Sequence, residues 1–532
     1  MHYKTDFKPS GWHEGFRRIG LKMFTRDGMA AAVMQSTTAA FLSVFALALG
    51  ADSVYIGLLS AVPVILWTVA LLPAARFCQK NIAKRKWIVV ASATASRLLW
   101  IPIIIIAMWF AGTSVALAAL MVFVTLSTFA GAFSTPAWAS MAGDLVPENV
   151  RGMYFSKRTI ATTATGLTAT LAAGWVLDLF GKQDLFGFVV IFSVGLLFGL
   201  LSSFFFSRIP SPPVGFERER DFHTSAIKDV WKDRRFRTFL ILFGIWQFGI
   251  MFSAPFQSVF ILKTLGAEYI WIAILAVAGG VAGIVVQRGW GVFSDRYGHR
   301  IVMIIATFGT VPALLLWLPA TSAWMLLPVE IFSGMMWAGF GLANYNYMLE
   351  VSPSRSRAVY AAMFNVMIGV AGVFGPIAGG FVAQYFTTHA LFGLTEYRVL
   401  FLITGLIRLL SGFLFLAFLG EVVEKRERIR PGYVFGEMLK YGISGGVLKA
   451  HNAAGGFVYD ASAVEKSLKD VAAVVGKDIR AAAHAVGEVV ERTKTEADKR
   501  GEKIVERGTM WPTKEDEKKP GGKTHLRVNV SD

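Results

Sequence analysis

Twelve stretches of this chain stay apolar for about 20 residues each, and no other feature limits the possible folds so tightly. A helix needs about that many apolar residues to cross the hydrocarbon core of a bilayer, where every backbone N–H and C=O must be satisfied within the segment. The stretches lie near 29–50, 54–75, 87–110, 114–138, 159–180 and 186–207, then near 238–262, 269–291, 301–320, 323–349, 358–386 and 397–420. The junctions at 110–114 and 320–323 are short enough to force antiparallel hairpins. Charged residues make up only 17% of the chain, against about 25% in ordinary soluble domains. The pattern predicts an all-α membrane protein of twelve transmembrane helices.

Charge placement sets the expected orientation. With a cytoplasmic N-terminus, residues 1–28 and the inward loops are rich in Lys and Arg, whereas the outward loops carry only Lys182, Lys263 and Arg398. A wrong span count would scramble that asymmetry, because every later loop would change sides. Both termini are therefore expected in the cytoplasm, in a multi-pass protein of the cytoplasmic membrane. The first 28 residues lack the short apolar core and cleavage site of a secretory signal. The net charge of +17 is spread over inward loops rather than along one stripe, which argues against nucleic acid as a partner. A single cysteine, Cys78, excludes an intramolecular disulfide and reads as a small apolar residue beside a helix end.

An internal repeat divides the chain. Asp144, Pro147, Arg151 and Tyr154 recur 206 positions later as Glu350, Pro353, Arg357 and Tyr360, and Gly166 and Gly174 recur as Gly372 and Gly380. The expected organisation is two pseudo-symmetric six-helix halves, 29–207 and 238–420, joined by a cytoplasmic linker at 208–237. Such halves place a substrate site near the bilayer midplane between them.

Between the eighth and ninth spans stands Gly291-Val-Phe-Ser-Asp295-Arg296-Tyr-Gly298-His-Arg300. This run resembles the loop signature G-x-x-x-D-R-x-G-x-R of the major facilitator superfamily. The resemblance covers about residues 20–420 and implies a conformational latch: Gly291 and Gly298 for close approach and a tight turn, Asp295 to cap the next helix or pair with Arg296 or Arg300. The corresponding loop of the first half, 76–86, keeps only its basic end and reads as a topology anchor. Span eleven carries Gly372, Gly375, Pro376, Gly379 and Gly380, similar to the glycine–proline motif of the family's drug–proton antiporters. Span five lacks the proline, so a hinge and packing role is expected instead.

Ionisable groups inside a span are costly and point to function. Three stand out: Arg97, Glu330 and Arg408. The family resemblance implies that spans one, four, seven and ten line the cavity, which favours Glu330. Glu330, Gly334, Trp337, Gly341 and Asn344 share one helical face and are expected to face the central cavity. Glu330 would act there as a proton-coupling carboxylate or as partner of a cationic substrate; the bland alternative is an acid at the outer rim. Arg97 and Arg408 are expected to satisfy helix carbonyls, or each an acid or polar group of its own half. Further candidates are Gln35, Trp138, Gln247, Gln257 and Asn365, with Trp138 and Asn344 equivalent in the repeat.

Residues 421–532 hold 21 Lys or Arg against 18 Asp or Glu. Between 461 and 507, Val464, Leu468, Val471, Val475, Ile479, Ala482, Val486 and Val489 recur at helical steps, predicting an amphipathic cytoplasmic helix able to dock, self-associate or lie on lipid. The end beyond Gly508 reads as disordered. Pro520-Gly-Gly-Lys-Thr524 lacks the earlier glycine of a phosphate loop, so ATP-driven transport within this chain is not expected. No metal-ligand or nucleophile motif is present: the chain reads as no enzyme, without metal or cofactor. Its expected partners are a small-molecule substrate, membrane lipids and protons or another coupling ion. The leading expectation is gradient-driven transport of a small organic or amphiphilic solute, with export favoured. The alternatives are a receptor or scaffold using the tail, or lipid translocation.

Overall fold

The structure, a computed structural model, describes residues 14–109, 113–146, 151–181, 184–211, 230–353, 357–394 and 396–420. Most of the linker, and the whole tail with its expected helix and disordered end, lie outside the described residues. Eleven helices among them are long and apolar enough to cross a membrane: α1 (Ile19–Ala48), α2 (Ser53–Lys80), α3 (Ile82–Ile106), α4 (Val115–Leu145), α5 (Tyr154–Phe180), α6 (Phe186–Ser207), α7 (Arg234–Thr264), α8 (Ile270–Tyr297), α10 (Ala323–Val351), α11 (Val359–Tyr385) and α12 (Glu396–Phe418). Between α8 and α10 stands the shorter apolar α9, His299–Leu315, of 17 residues.

Several helices overrun their apolar runs. The helix that opens α1 begins at Glu14 and carries Asp27 inside it. The helix containing α5 begins at Arg151 and includes Arg158. α8 continues through Gly291, Asp295 and Arg296, so most of the expected loop signature is helix. Only Gly298, at φ +105°, makes the turn, in the left-handed region that a side chain resists. Other helices are broken within the bundle. Thr37 and Thr38 donate to carbonyls one turn back, at 3.0 and 2.6 Å, beside a 3₁₀ turn at Ala39–Phe41. In α7 a 3₁₀ turn at Ala254–Phe256 contains Pro255, which has no N–H to continue the ladder.

The repeat has counterparts in contacts. Asp144 at the end of α4 pairs with buried Arg85 at the start of α3, and Glu350 at the end of α10 stands 3.3 Å from His299 at the start of α9. Tyr154 ties α5 to α1 through Thr25 (3.0 Å) and the Leu21 carbonyl (2.8 Å). Tyr360 on α11 donates to Asp233, the cap of α7, at 3.1 Å.

Three buried clusters set the shape. One draws residues from both sets of six helices, including Phe45 and Phe188 from the first and Phe260 and Phe401 from the second. The other two are confined to one set each: one around Trp246 and Phe293, the other around Phe24 and Met141. Among the described residues the buried core is thus continuous across the two sets at one end and separate at the other, where the basic segments at 80–85 and 296–300 lie. Helix α11 closes the sealed end against α2 and α7. A Cβ on Gly379 would fall on the Phe252 carbonyl of α7, and one on Gly57 on the Pro376 carbonyl of α11. Gly380 meets the backbone of Ser53 and Val54, and Gly372 meets Val64. The glycine run serves close packing, within a helix that continues through Pro376.

A second seam joins α5 to α8. Both carboxylate oxygens of Asp178 accept backbone N–H groups at the start of α8, from Tyr269 at 2.7 Å and Ile270 at 2.8 Å. A carboxylate there also meets the positive end of the helix dipole. Asp178→Asn removes the charge and one acceptor. The expected loss is about 1–2 kcal/mol locally, read as faster hydrogen exchange at the first turn of α8. Unchanged exchange there would show that the cap does not hold the seam.

Candidate functional site

Glu330 stands one to two turns into α10, at the junction of two spaces. The first is a cavity of about 210 Å³ inside the last six helices, whose polar lining is Gln257, Glu330, Ser333, Trp317, Trp337 and Arg408. The second is a more open cleft of about 410 Å³ between α8 and α10, bordered by Gly279, Gly283, Gln287, Glu330, Gly334 and Trp337. The break at Pro255 sets Gln257 beside the first space, since Ala254 and Gln257 both line it. Glycine spacing makes the second: Gly334 of α10 rests on the backbone of Gly279 in α8, and Gly279 in turn meets the Glu330 carbonyl. Leu167 of α5 lies against Gly280, so the cleft borders the seam between the two sets of helices.

Arg408 enters the first cavity from α12 and is 4% exposed. Its guanidinium lies 5.7 Å from the Trp337 ring, and its Nε has no hydrogen-bond partner among the described residues. Glu330 and Arg408 share the cavity without touching as an ion pair, so each charge is compensated across a gap. That arrangement leaves both groups able to exchange partners. A carboxylate there can take up or release a proton, or meet a cation, with Arg408 as the alternating counter-charge.

The expected stripe on α10 is divided. Glu330 and Trp337 line both spaces, and Gly334 lines the cleft while packing on α8. Among the described residues, Gly341 has open space beside it, and Asn344 is buried with no hydrogen-bond partner for its Oδ1. A helical face some 20 Å long meets different neighbours along its length, so one stripe does not make one wall.

The other candidates scatter. Arg97 donates to Ser203 and, at 2.8 Å, to Ser202, hydroxyls of its own set of helices. Trp138 borders a third cavity with Arg97. Gln35 and Asn365 are exposed, and Asn365 donates to its own helix at Ala361. Gln247 is half-buried on α7. Within the latch, Asp295 is exposed and does not cap α9, whose first residue follows Gly298 without a side-chain cap. Among the described residues, none comes within 4 Å of where a Cβ on Gly291 would stand. The contacts there are made by neighbours: His299 with Glu350 and with Ser294 (2.5 Å), and Arg300 with the Leu416 carbonyl at 2.9 Å. Glu350 puts an acid at this turn beside His299, because the end of α10 faces the start of α9.

Sequence reasoning missed Asp27 and Arg158, which also border the third cavity. Hydropathy stops at a charge even where the helix does not. One signal was available: Asp27 is the only acid between Glu14 and Asp52, and it leads directly into an apolar run.

Comparison with known proteins agrees with this architecture. The profile of the Major Facilitator Superfamily matches residues 28–291 and 260–450. The uncharacterized MFS-type transporter YqjV of Bacillus subtilis is 24% identical over 152 residues, 28% of this chain and 37% of that protein. The match therefore spans little more than a third of that relative. The multi-drug resistance efflux pump PmrA of Streptococcus pneumoniae is 23% identical over 291 residues, 53% of this chain and 70% of the pump. Among solved structures, an inward-facing, unoccupied bacterial homolog of the human lysosomal transporter Spinster superposes with a TM-score of 0.61 at 15% identity. That superposition covers 76% of this chain and 98% of the other. Helical architecture, repeat and profile agree: this multi-pass membrane protein belongs to the Major Facilitator Superfamily.

Proposed function

We propose that the protein is a gradient-driven secondary transporter that moves a small organic or amphiphilic solute by alternating access. Export is favoured, and a proton is coupled through Glu330. In this reading α9 is a twelfth span, the two six-helix sets are pseudo-symmetric halves, and both termini lie on the cytoplasmic side of the cytoplasmic membrane. The observation that carries it is Glu330 at the meeting of an open cleft and an inner cavity that also holds Arg408. The cleft gives access for solute and water, and the arginine gives the carboxylate a partner when it is ionised. The seal across one end and the division at the other fit an inward-facing conformer. A relative named as a multidrug efflux pump supports the export direction.

The test is transport by the full chain in proteoliposomes under an imposed pH gradient, screened first with amphiphilic cationic dyes. The wild type is expected to move a dye faster with the gradient than without it. Glu330→Gln should lose that acceleration while the protein stays folded, because a glutamine cannot carry the proton. Gradient-dependent transport that persists unchanged in Glu330→Gln overturns the coupling role. Transport kept after removal of residues 421–532 separates a transporter from a tail-centred scaffold.

A further inference from the structure

A second buried charge cluster lies outside the Glu330 site. The third cavity, of about 140 Å³, lies among α1, α3, α4, α5 and α6, and its charged lining residues are Asp27, Arg97 and Arg158. Two guanidiniums face one carboxylate there, and hydroxyls and apolar groups make up the rest. Asp27, 6% exposed, is already engaged: its Oδ1 accepts the Ser202 hydroxyl at 2.5 Å. Its Oδ2 stands 3.9 Å from Arg158 Nη2, beyond the roughly 2.7–2.9 Å of a charge-assisted hydrogen bond. Arg97 donates to Ser202 and Ser203. Arg158 has its Nε on the Phe24 carbonyl at 3.2 Å, and its guanidinium lies 4.5 Å from the Phe24 ring and 5.4 Å from Trp138. Its two Nη groups, the end of the fork, make no hydrogen bond among the described residues.

An excess positive charge inside the bundle attracts an anion. The free end of a guanidinium presents two parallel N–H groups that match the two oxygens of a carboxylate. A single negative charge offsets the excess, whereas a phosphate dianion overshoots it. The volume is on the order of five waters, which suits an acetate-sized group. We infer that this cavity is a binding site for a small carboxylate held by Arg158 and Arg97, distinct from the Glu330 site.

The test is a titration of the purified full chain with sodium acetate against sodium chloride at constant ionic strength. Melting temperature and tryptophan emission, to which Trp138 contributes, are the readouts. Acetate is expected to produce a saturable change in both. Affinity should fall roughly tenfold or more in Arg158→Gln and by less in Arg158→Lys, which keeps the charge and loses the fork. The exposed Arg76→Gln, which removes the same charge elsewhere, should leave the titration unchanged. An absent acetate response in folded wild type, an equal response to chloride, or a response that survives Arg158→Gln each overturns the inference. Binding is read here without transport, so failure leaves the transport proposal standing.

Discussion

Exchanging Arg408 for glutamine is expected to destabilise the protein by about 3 kcal/mol, and exchanging Glu330 for glutamine in the same chain to restore most of that loss. Removing one partner of a buried charge pair leaves the other uncompensated, which typically costs about 3–5 kcal/mol. The low end applies here because Glu330 and Arg408 share a cavity without direct contact. Removing both charges leaves two amides that can hydrogen-bond within the same space. A double-mutant cycle on thermal or denaturant unfolding in detergent reads the coupling. Single effects that add to within about 0.5 kcal/mol would show that the two charges do not share a field. A strong coupling would establish that either group can be released only when something replaces it, as the proposed cycle requires of a proton or solute. Loss of the Arg97 guanidinium is a useful contrast, since its hydrogen bonds go to serine hydroxyls rather than to the acid itself.

How much of this could be read beforehand depended on whether a residue's role was local. The apolar runs mark most helices to within a few residues, because the bilayer requirement acts on each segment by itself. The ends failed where charge entered a helix: α1 carries Asp27 and α5 carries Arg158, each compensated by groups distant in sequence such as Ser202 and Phe24. The pairing of Arg97 with its own set of helices was legible from its depth in a span, but the serines that receive it were not. Gln257 and Glu330 border one cavity, and α7 is broken at Pro255 just before Gln257, a placement that no spacing in the sequence gives. The latch shows the same limit. Asp295 matches the family spacing but is exposed, and Glu350 from the end of α10 is the acid that stands beside His299 at this turn. The repeat foretold both members of that layer, since Asp144 with Arg85 does the same work in the first set. What it withheld was which basic residue each acid would meet.

Gly57→Val is expected to shift the balance between conformers more than any change at the Glu330 site. A Cβ at this position falls on the Pro376 carbonyl, and Gly380 and Ser53 meet backbone to backbone one turn away. Neither side offers a flexible side chain to move aside, so α2 and α11 must separate. Overpacking of this kind costs about 1–3 kcal/mol. The cost falls only on conformers in which this seam is closed. An opened seam escapes it, so the ratio of open to closed forms should rise by roughly five- to 150-fold. The readout is a distance distribution between spin labels at Val115→Cys and Thr388→Cys, exposed positions at the sealed end of the two sets, with buried Cys78 replaced by serine. A longer-distance population in Gly57→Val, smaller in Gly57→Ala, is the expected result. An unchanged distribution in a folded variant would mean that α2 and α11 move as one body, and that opening must occur at the α5–α8 seam held by Asp178. Either result locates the moving boundary, because one seam packs backbone on backbone and the other is held by a carboxylate bonded to backbone N–H groups.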